Sequence, residues 1–405
     1  MRNKTCLLAA AGLLVSLALD ASLEAASPVG ELAKVSPSES RFRRPVAATL
    51  LDETTAAVAN RRSGTLSVID VDRLAVVAEF DFKGQPTHLV ARGKNVLVTD
   101  AEHGRLVSLA MDRSSARVLW ELSLPNHPVS VRVSQDGKWC SVGCMWGRKV
   151  VFVQLPKTPG KSSKTPKTNA LPRIIATVDL PFPPREQLLL EDSSRLVVAD
   201  AFGDQLAVIN VDLHKVESIR ALPAHNVRGL ALSPDGQRIL ATHQIISELS
   251  PPRRSEIIWG VMSSDALRVI RTDKVLAPQA RVMDGSRFIM IGNGTRGAGD
   301  PDALAVNQDG RAIIALAGVG EVAIIEPDGY SLKRIKVGQR PVDVCPLGDG
   351  GFLIVNELSD SITRLDLKTN PGNQAAKPIP TPKRYDQDKP AYEKTDDNQA
   401  GANQK

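Results

Sequence analysis

Short apolar runs alternate with polar turns through most of the chain. Seven runs carry a similar three-residue phrase: Val58-Ala59-Asn60, Val98-Thr99-Asp100, Val142-Gly143-Cys144, Val198-Ala199-Asp200, Ala241-Thr242-His243, Leu316-Ala317-Gly318 and Ile354-Val355-Asn356. Most intervals are close to 40 residues; the one before Asp200 is 56 and the one before Gly318 is 75. Self-similarity at a fixed period marks a repeat architecture, and roughly 40–45 residues suit one four-stranded propeller blade. Seven copies predict an all-β fold, a seven-bladed β-propeller of four-stranded antiparallel blades. A single blade cannot bury its own faces, so the copies are expected to form one closed domain although the length would allow two or three.

Alternation, β-branched residues and short turns place the strands. In blade one, Arg44-Pro45-Val46 opens the inner strand, and residues 56–60, 65–70 and 75–80 form the other three. A proline opens the inner strand again at Pro86, Pro128, Pro184 and Pro341. Asp136-Gly137, Asp235-Gly236 and Asp309-Gly310 mark hairpins, since both residue types tolerate positive φ. The last strand of blade seven is weakly marked, and the N-terminal segment is the candidate to complete it and protect the sheet edges.

Two insertions break the rhythm. Residues 156–172 are rich in Lys, Pro, Ser and Thr, which predicts a solvated loop, with an arm for an anionic partner as the alternative. The stretch of about 244–299 must contain blade-five strands. Its remainder is expected to form long loops at one end of the channel, where loops on a rigid scaffold often carry function. Residues 371–405 are polar and Pro-rich and are expected to be disordered.

The first 26 residues read as a secretory signal. Arg2 and Lys4 precede an apolar run from Leu7 to Leu19, and small residues follow, with cleavage expected after Ala25 or Ala26. The run is shorter than the ~20 residues a membrane helix needs. The expected order is therefore a signal peptide (1–26), a polar leader (27–41), the propeller (42–370) and the tail, in a periplasmic or secreted monomer. The net charge is +6, but the excess forms no patch on the repeats, so neither nucleic acid nor a membrane span is expected. Aromatic residues are 4%, which predicts an aliphatic core. Beyond the signal stand Cys140, Cys144 and Cys345, an odd number for an oxidising compartment. Cys140 and Cys144 flank a predicted strand, whose extended reach of ~13 Å would keep them apart. All three are expected to be buried thiols.

The segment from Ala57 to Asp70 (AVANRRSGTLSVID) and the segment from Pro341 to Asp366 resemble the repeat of the YVTN family of seven-bladed β-propellers. The resemblance extends over about 42–369. It implies an exported protein, and such propellers include proteins of unknown ligand, lactonase-like enzymes and partners of cytochrome c modules. Thr242-His243-Gln244 and Ile258-Trp259-Gly260 resemble the propeller part of planctomycete-type fusions with di-haem peroxidase modules. The chain has no Cys-x-x-Cys-His, so it attaches no c-type haem, and a redox role would need a separate haem protein.

No nucleophile elbow, zinc helix or phosphate-binding glycine loop occurs, and enzymatic activity is not the favoured expectation. One pattern points to the channel. Two positions after the proline that opens each inner strand, or its equivalent, stand Ala47, His88, Ser130, Glu186, Gly229, Ala303 and Asp343. Polar groups are costly to bury without partners, so His88, Glu186 and Asp343 are candidates to converge on a metal or polar ligand. The alternative is that each bonds to backbone or channel water. Trp146, Arg148, His243 and Trp259 are candidate partner-loop residues, because Trp and Arg often anchor interfaces. The function expected first is a non-catalytic scaffold presenting loops to a protein or small ligand. The alternatives are docking of a separate haem protein and a lactonase-like hydrolase using the channel.

Overall fold

The computed structural model describes residues 30–36, 42–157, 171–247, 250–251, 253–258, 262–293, 296–326 and 331–367. Seven small antiparallel sheets stand around a ring, and apart from a leader strand added to the outer edge of blade one the strands pair in chain order from the centre outward. The inner strands are Pro45–Leu50, Pro86–Arg92, Pro128–Val133, Pro184–Leu189, His225–Leu232, Pro301–Val306 and Pro341–Pro346. Each inner strand contacts the inner strands on either side, so the ring is closed. The sheets are a seven-bladed β-propeller, with two short helices among the described residues, Arg254–Ile258 and Thr272–Leu276.

The apolar pattern follows from this stacking. The second and third strands of each blade are covered on both faces by neighbouring blades. They therefore read as continuous apolar runs, such as Leu206 to Ile209, rather than alternating ones. Outer strands are covered on one face only, and Arg173–Asp179 alternates between exposed and covered positions. Among the described residues the buried apolar side chains fall into seven clusters, each between two adjacent blades. Valine, leucine, isoleucine and alanine dominate them, as the scarcity of aromatic residues predicts.

Side chains stitch neighbouring blades together near the channel. Thr87 Oγ1 donates to the Pro128 carbonyl at 2.7 Å, Ser130 Oγ to the Arg185 carbonyl at 2.6 Å and Thr242 Oγ1 to the Asp302 carbonyl at 2.8 Å. At the seam between blades seven and one, the Ala48 N–H donates to Asp343 Oδ2 at 2.8 Å.

Three features differ from the sequence reading. The leader strand Lys34–Val35 does not join blade seven. It pairs with the outer strand of blade one, giving that blade five strands, while blade seven has three among the described residues. Strand pairing uses backbone groups that any exposed edge offers, so the leader's sequence did not name its edge. In blade six the second strand ends at Leu316, which faces Pro301; the phrase positions are therefore Ile314-Ala315-Leu316, and Ala317-Gly318 belongs to the turn. In blade five, the second strand runs to Ile246 and the third starts at Ser263. The extra residues leave between the second and third strands and again between the third and the outer strand Arg287–Met290. Antiparallel strands alternate direction, so these excursions emerge at opposite ends of the ring, not at one.

The three cysteines are free and buried. Cys140 and Cys144 lie along the same extended strand, Trp139–Cys144, and burial pushes their thiols up to about 12.

Candidate functional site: the channel and its rim

Each inner strand carries a register shift immediately after its opening residue. Such a bulge bends the strand and re-aims the side chains beside it. The strands of blades two, three, four and seven thereby supply His88, Arg132, Glu186 and Asp343 to one electrostatic neighbourhood. Arg132 Nη1 lies 3.1 Å from His88 Nε2, and Arg132 Nη2 lies 3.5 Å from Glu186 Oε2. A guanidinium only donates, so His88 Nε2 accepts and its proton resides on Nδ1. Arg132 Nε also donates to the Gln187 carbonyl at 3.0 Å, which fixes the guanidinium between the imidazole and the carboxylate.

The enclosed channel disfavours charge on these groups. Burial, reinforced by the Arg132 charge, lowers His88 to about 3, so its imidazole is neutral at pH 7. Burial raises Glu186 against the pull of Arg132. Burial raises Asp343 to about 6 although N–H bonds from Ala48 and Val344 oppose it, and the Arg132 and Glu186 charges both act on it. His88 and Glu186 are thus linked through Arg132, and Asp343 shares their field while bonding to the seam backbone. Among the described residues no group of three or more His, Cys, Asp or Glu side chains is arranged to hold a metal ion. Arg132 supplies the positive charge between His88 and Glu186.

A second network crosses the channel rim. Arg228 Nη1 lies 3.1 Å from Asp302 Oδ2 and 3.4 Å from Asp300 Oδ2. Arg340 Nη1 lies 3.5 Å from the same Asp300 oxygen, and Arg340 Nε lies 2.7 Å from Glu357 Oε2. Blades five, six and seven are joined in this way. Sequence reasoning missed Arg132, Arg228 and Asp302 because it took one position per strand. For Arg228 and Asp302 the available signal was the residue directly before the chosen position, where Arg185 also stands; Arg132, two residues after Ser130, had no such marker.

The candidate partner-loop residues separate. Trp146 is 58% exposed, on the turn between the second and third strands of blade three. It stacks on Phe202, 49% exposed on the equivalent turn of blade four, at 5.9 Å between ring centroids and 17° between planes. His127 flanks the pair, with centroids 5.7 Å apart, and burial followed by the Arg61 charge lowers its pKa. Arg148 is exposed on the Trp146 turn. His243 is wholly buried in blade five, where burial lowers it to about 4, so it is not presented to a partner. Trp259 lies outside the described residues. Phe202 was not among the candidates, because pairing two turns requires knowing that their blades are adjacent.

No family model matches the sequence, and no curated protein matches it. Solved structures match the fold. Hydrazine synthase from Kuenenia stuttgartiensis aligns with a TM-score of 0.70 at 18% identity, over 82% of this chain and 98% of that one. Virginiamycin B lyase from Staphylococcus aureus aligns with a TM-score of 0.58 at 14% identity, covering 84% and 99%. A putative 6-phosphogluconolactonase from Bacteroides fragilis aligns with a TM-score of 0.55 at 13% identity, covering 79% and 97%. These likenesses define the class, a seven-bladed β-propeller. The functions in their names are unrelated to one another, so the class does not select an activity.

Proposed function

We propose that the chain is an exported, non-catalytic binding scaffold of the YVTN type. Its rigid ring presents one end, the end bearing Trp146 and Phe202, to a protein partner. The observation that carries this reading is the solvent-exposed stack of these two rings across adjacent blades. Exposed aromatic pairs are uncommon without a role, and Trp is enriched among residues that dominate interface energies. The closed ring supports it, because anchors on packed turns lose little freedom on binding. The N-terminal signal pattern supports export.

A lactonase-like use of the channel has weaker support. Arg132 already neutralises Glu186 and bonds to His88, so a substrate or metal there would first have to displace a guanidinium. A separate haem protein is one class of partner that the Trp146 end could receive, and likeness to hydrazine synthase at the fold level does not select it.

The test is affinity capture from a periplasmic extract with wild type and a Trp146→Ser/Phe202→Ser double variant. Both rings are exposed, so the melting temperature should shift little. The expected result is a discrete partner retained by wild type and lost by the variant. Equal recovery by the two proteins would overturn the reading.

A further inference from the structure

Above the seam where blades seven and one meet lies an open groove of about 790 Å³, within the size range of small-ligand sites. Turns and inter-blade links of blades one, two and seven line it. Four cations face it: Arg44, Arg61, Arg62 and Lys83. None of the four forms a salt bridge with a described carboxylate. Elsewhere on the ring arginines pair with carboxylates, as Arg105 does with Asp100 and Glu121 and Arg195 does with Glu217. Of the two carboxylates lining the groove, Glu357 is held by Arg340 at 2.7 Å and Glu102 remains, while Asp360 and Asp81 beside it accept the Arg44 and Lys83 backbone N–H groups.

The Arg62 guanidinium lies over the Phe42 ring at 5.7 Å, which restricts its orientation. Like charges gathered in a concave site repel one another, and an anion between them relieves that repulsion.

We propose that this groove binds a small multivalent oxyanion, a polycarboxylate or a phosphate compound. Guanidinium forks match either group through paired N–H bonds, and Lys83 adds a point charge. This inference does not depend on a protein partner at Trp146.

The test is calorimetric titration of the full chain with citrate and, separately, with pyrophosphate. Saturable one-site binding that weakens as sodium chloride is raised is expected for at least one of them. Citrate alone would assign a carboxylate ligand, and pyrophosphate alone a phosphate ligand. Arg61→Gln/Arg62→Gln and, separately, Lys83→Gln should each weaken binding, the double variant at least tenfold. Lys215→Gln, exposed on the outer strand of blade four and outside the groove, should leave it unchanged. Absence of saturable binding by both anions, or equal affinity in the groove variants and wild type, overturns the proposal.

Discussion

The last residue of the recurring phrase is a local fastener. Asn60 Nδ2 donates to Thr65 Oγ1 at 3.0 Å and Ser67 Oγ at 2.8 Å, tying the end of the second strand to the start of the third. Asn356 does the same with Thr363 Oγ1 at 3.0 Å and Ser361 Oγ at 3.3 Å. Asp100 reaches further: Oδ1 accepts the Gln85 N–H at 2.9 Å and the Glu102 N–H at 3.1 Å, and Oδ2 lies 2.8 Å from Arg105 Nε. Its carboxylate fills the space beside Gly84, where an added Cβ would stand 2.2 Å from Oδ2. Gly84→Ala is expected to destabilise the fold by about 1–3 kcal/mol, because the carboxylate or the link must move. The urea midpoint checks this, and an unchanged midpoint would show that the link yields freely. The phrase was visible in the sequence. The need for glycine at Gly84 was not, since Gly84 belongs to the link from the preceding blade. In blade six Leu316 occupies the polar position, and without that marker the phrase was read two residues late.

At the scale of elements, continuous burial made the middle strands legible and partial burial made the outer ones less so. The leader strand is the clearest case. Lys34 and Val35 pair with Phe80 and Glu79, and the Leu32 N–H donates to the Ala116 carbonyl at 2.8 Å. The leader thus runs along the outer edges of blades one and two. It covers a row of backbone groups that would otherwise be open to another chain. Deleting residues 27–36 is expected to leave the ring folded with a loss of about 1–2 kcal/mol, from a few backbone hydrogen bonds. Concentration-dependent self-association should appear in sedimentation velocity. A truncated chain that stays monomeric would mean that the edge needs no cover. Beneath this edge, Glu79 is wholly buried and both Arg43 Nε and Nη2 bond to its Oε2 at 3.0 and 2.9 Å. Glu79→Ala would remove the buried acceptor of two Arg43 bonds and of the Thr65 hydroxyl and cost about 3–5 kcal/mol, read as a fall in the urea midpoint.

At the scale of the whole molecule, the seam between first and last blades decides whether the ring holds. Cys345, Leu347, Leu353, Val355 and Ile362 of blade seven pack with Ala48, Ala56, Val58, Ile69 and Val71 of blade one. Asp343 adds the polar fastening. Its carboxyl ionises near 3.8 in the unfolded chain and about 6 in the folded one. Between those values the folded chain keeps a proton that the unfolded chain has released, so stability from this group falls as pH rises through the window and levels off above it. Asparagine stays neutral but can accept only one of the two backbone N–H bonds, from Ala48 or Val344, that the carboxyl oxygens accept. Asp343→Asn is therefore expected to remove the pH dependence, its stability relative to wild type rising between pH 4 and pH 7 by on the order of 1 kcal/mol. Melting temperatures across that range give the comparison; a difference between the two proteins that does not change with pH would show that Asp343 does not titrate there.

By itself the sequence determined the repeat, the number of blades, the strand order and the aliphatic core, because each is written in local periodicity and turn chemistry. It also pointed to His88, Glu186 and Asp343 as polar residues at equivalent places on inner strands. Only the tertiary structure decided that Arg132 stands between two of them, that Trp146 meets Phe202, that four cations without a salt bridge to a described carboxylate share one groove and that the leader caps blade one. Those outcomes depend on which blades are adjacent and where the bulges turn the chain. Such distances are set when the ring closes, and no stretch of residues read alone contains them.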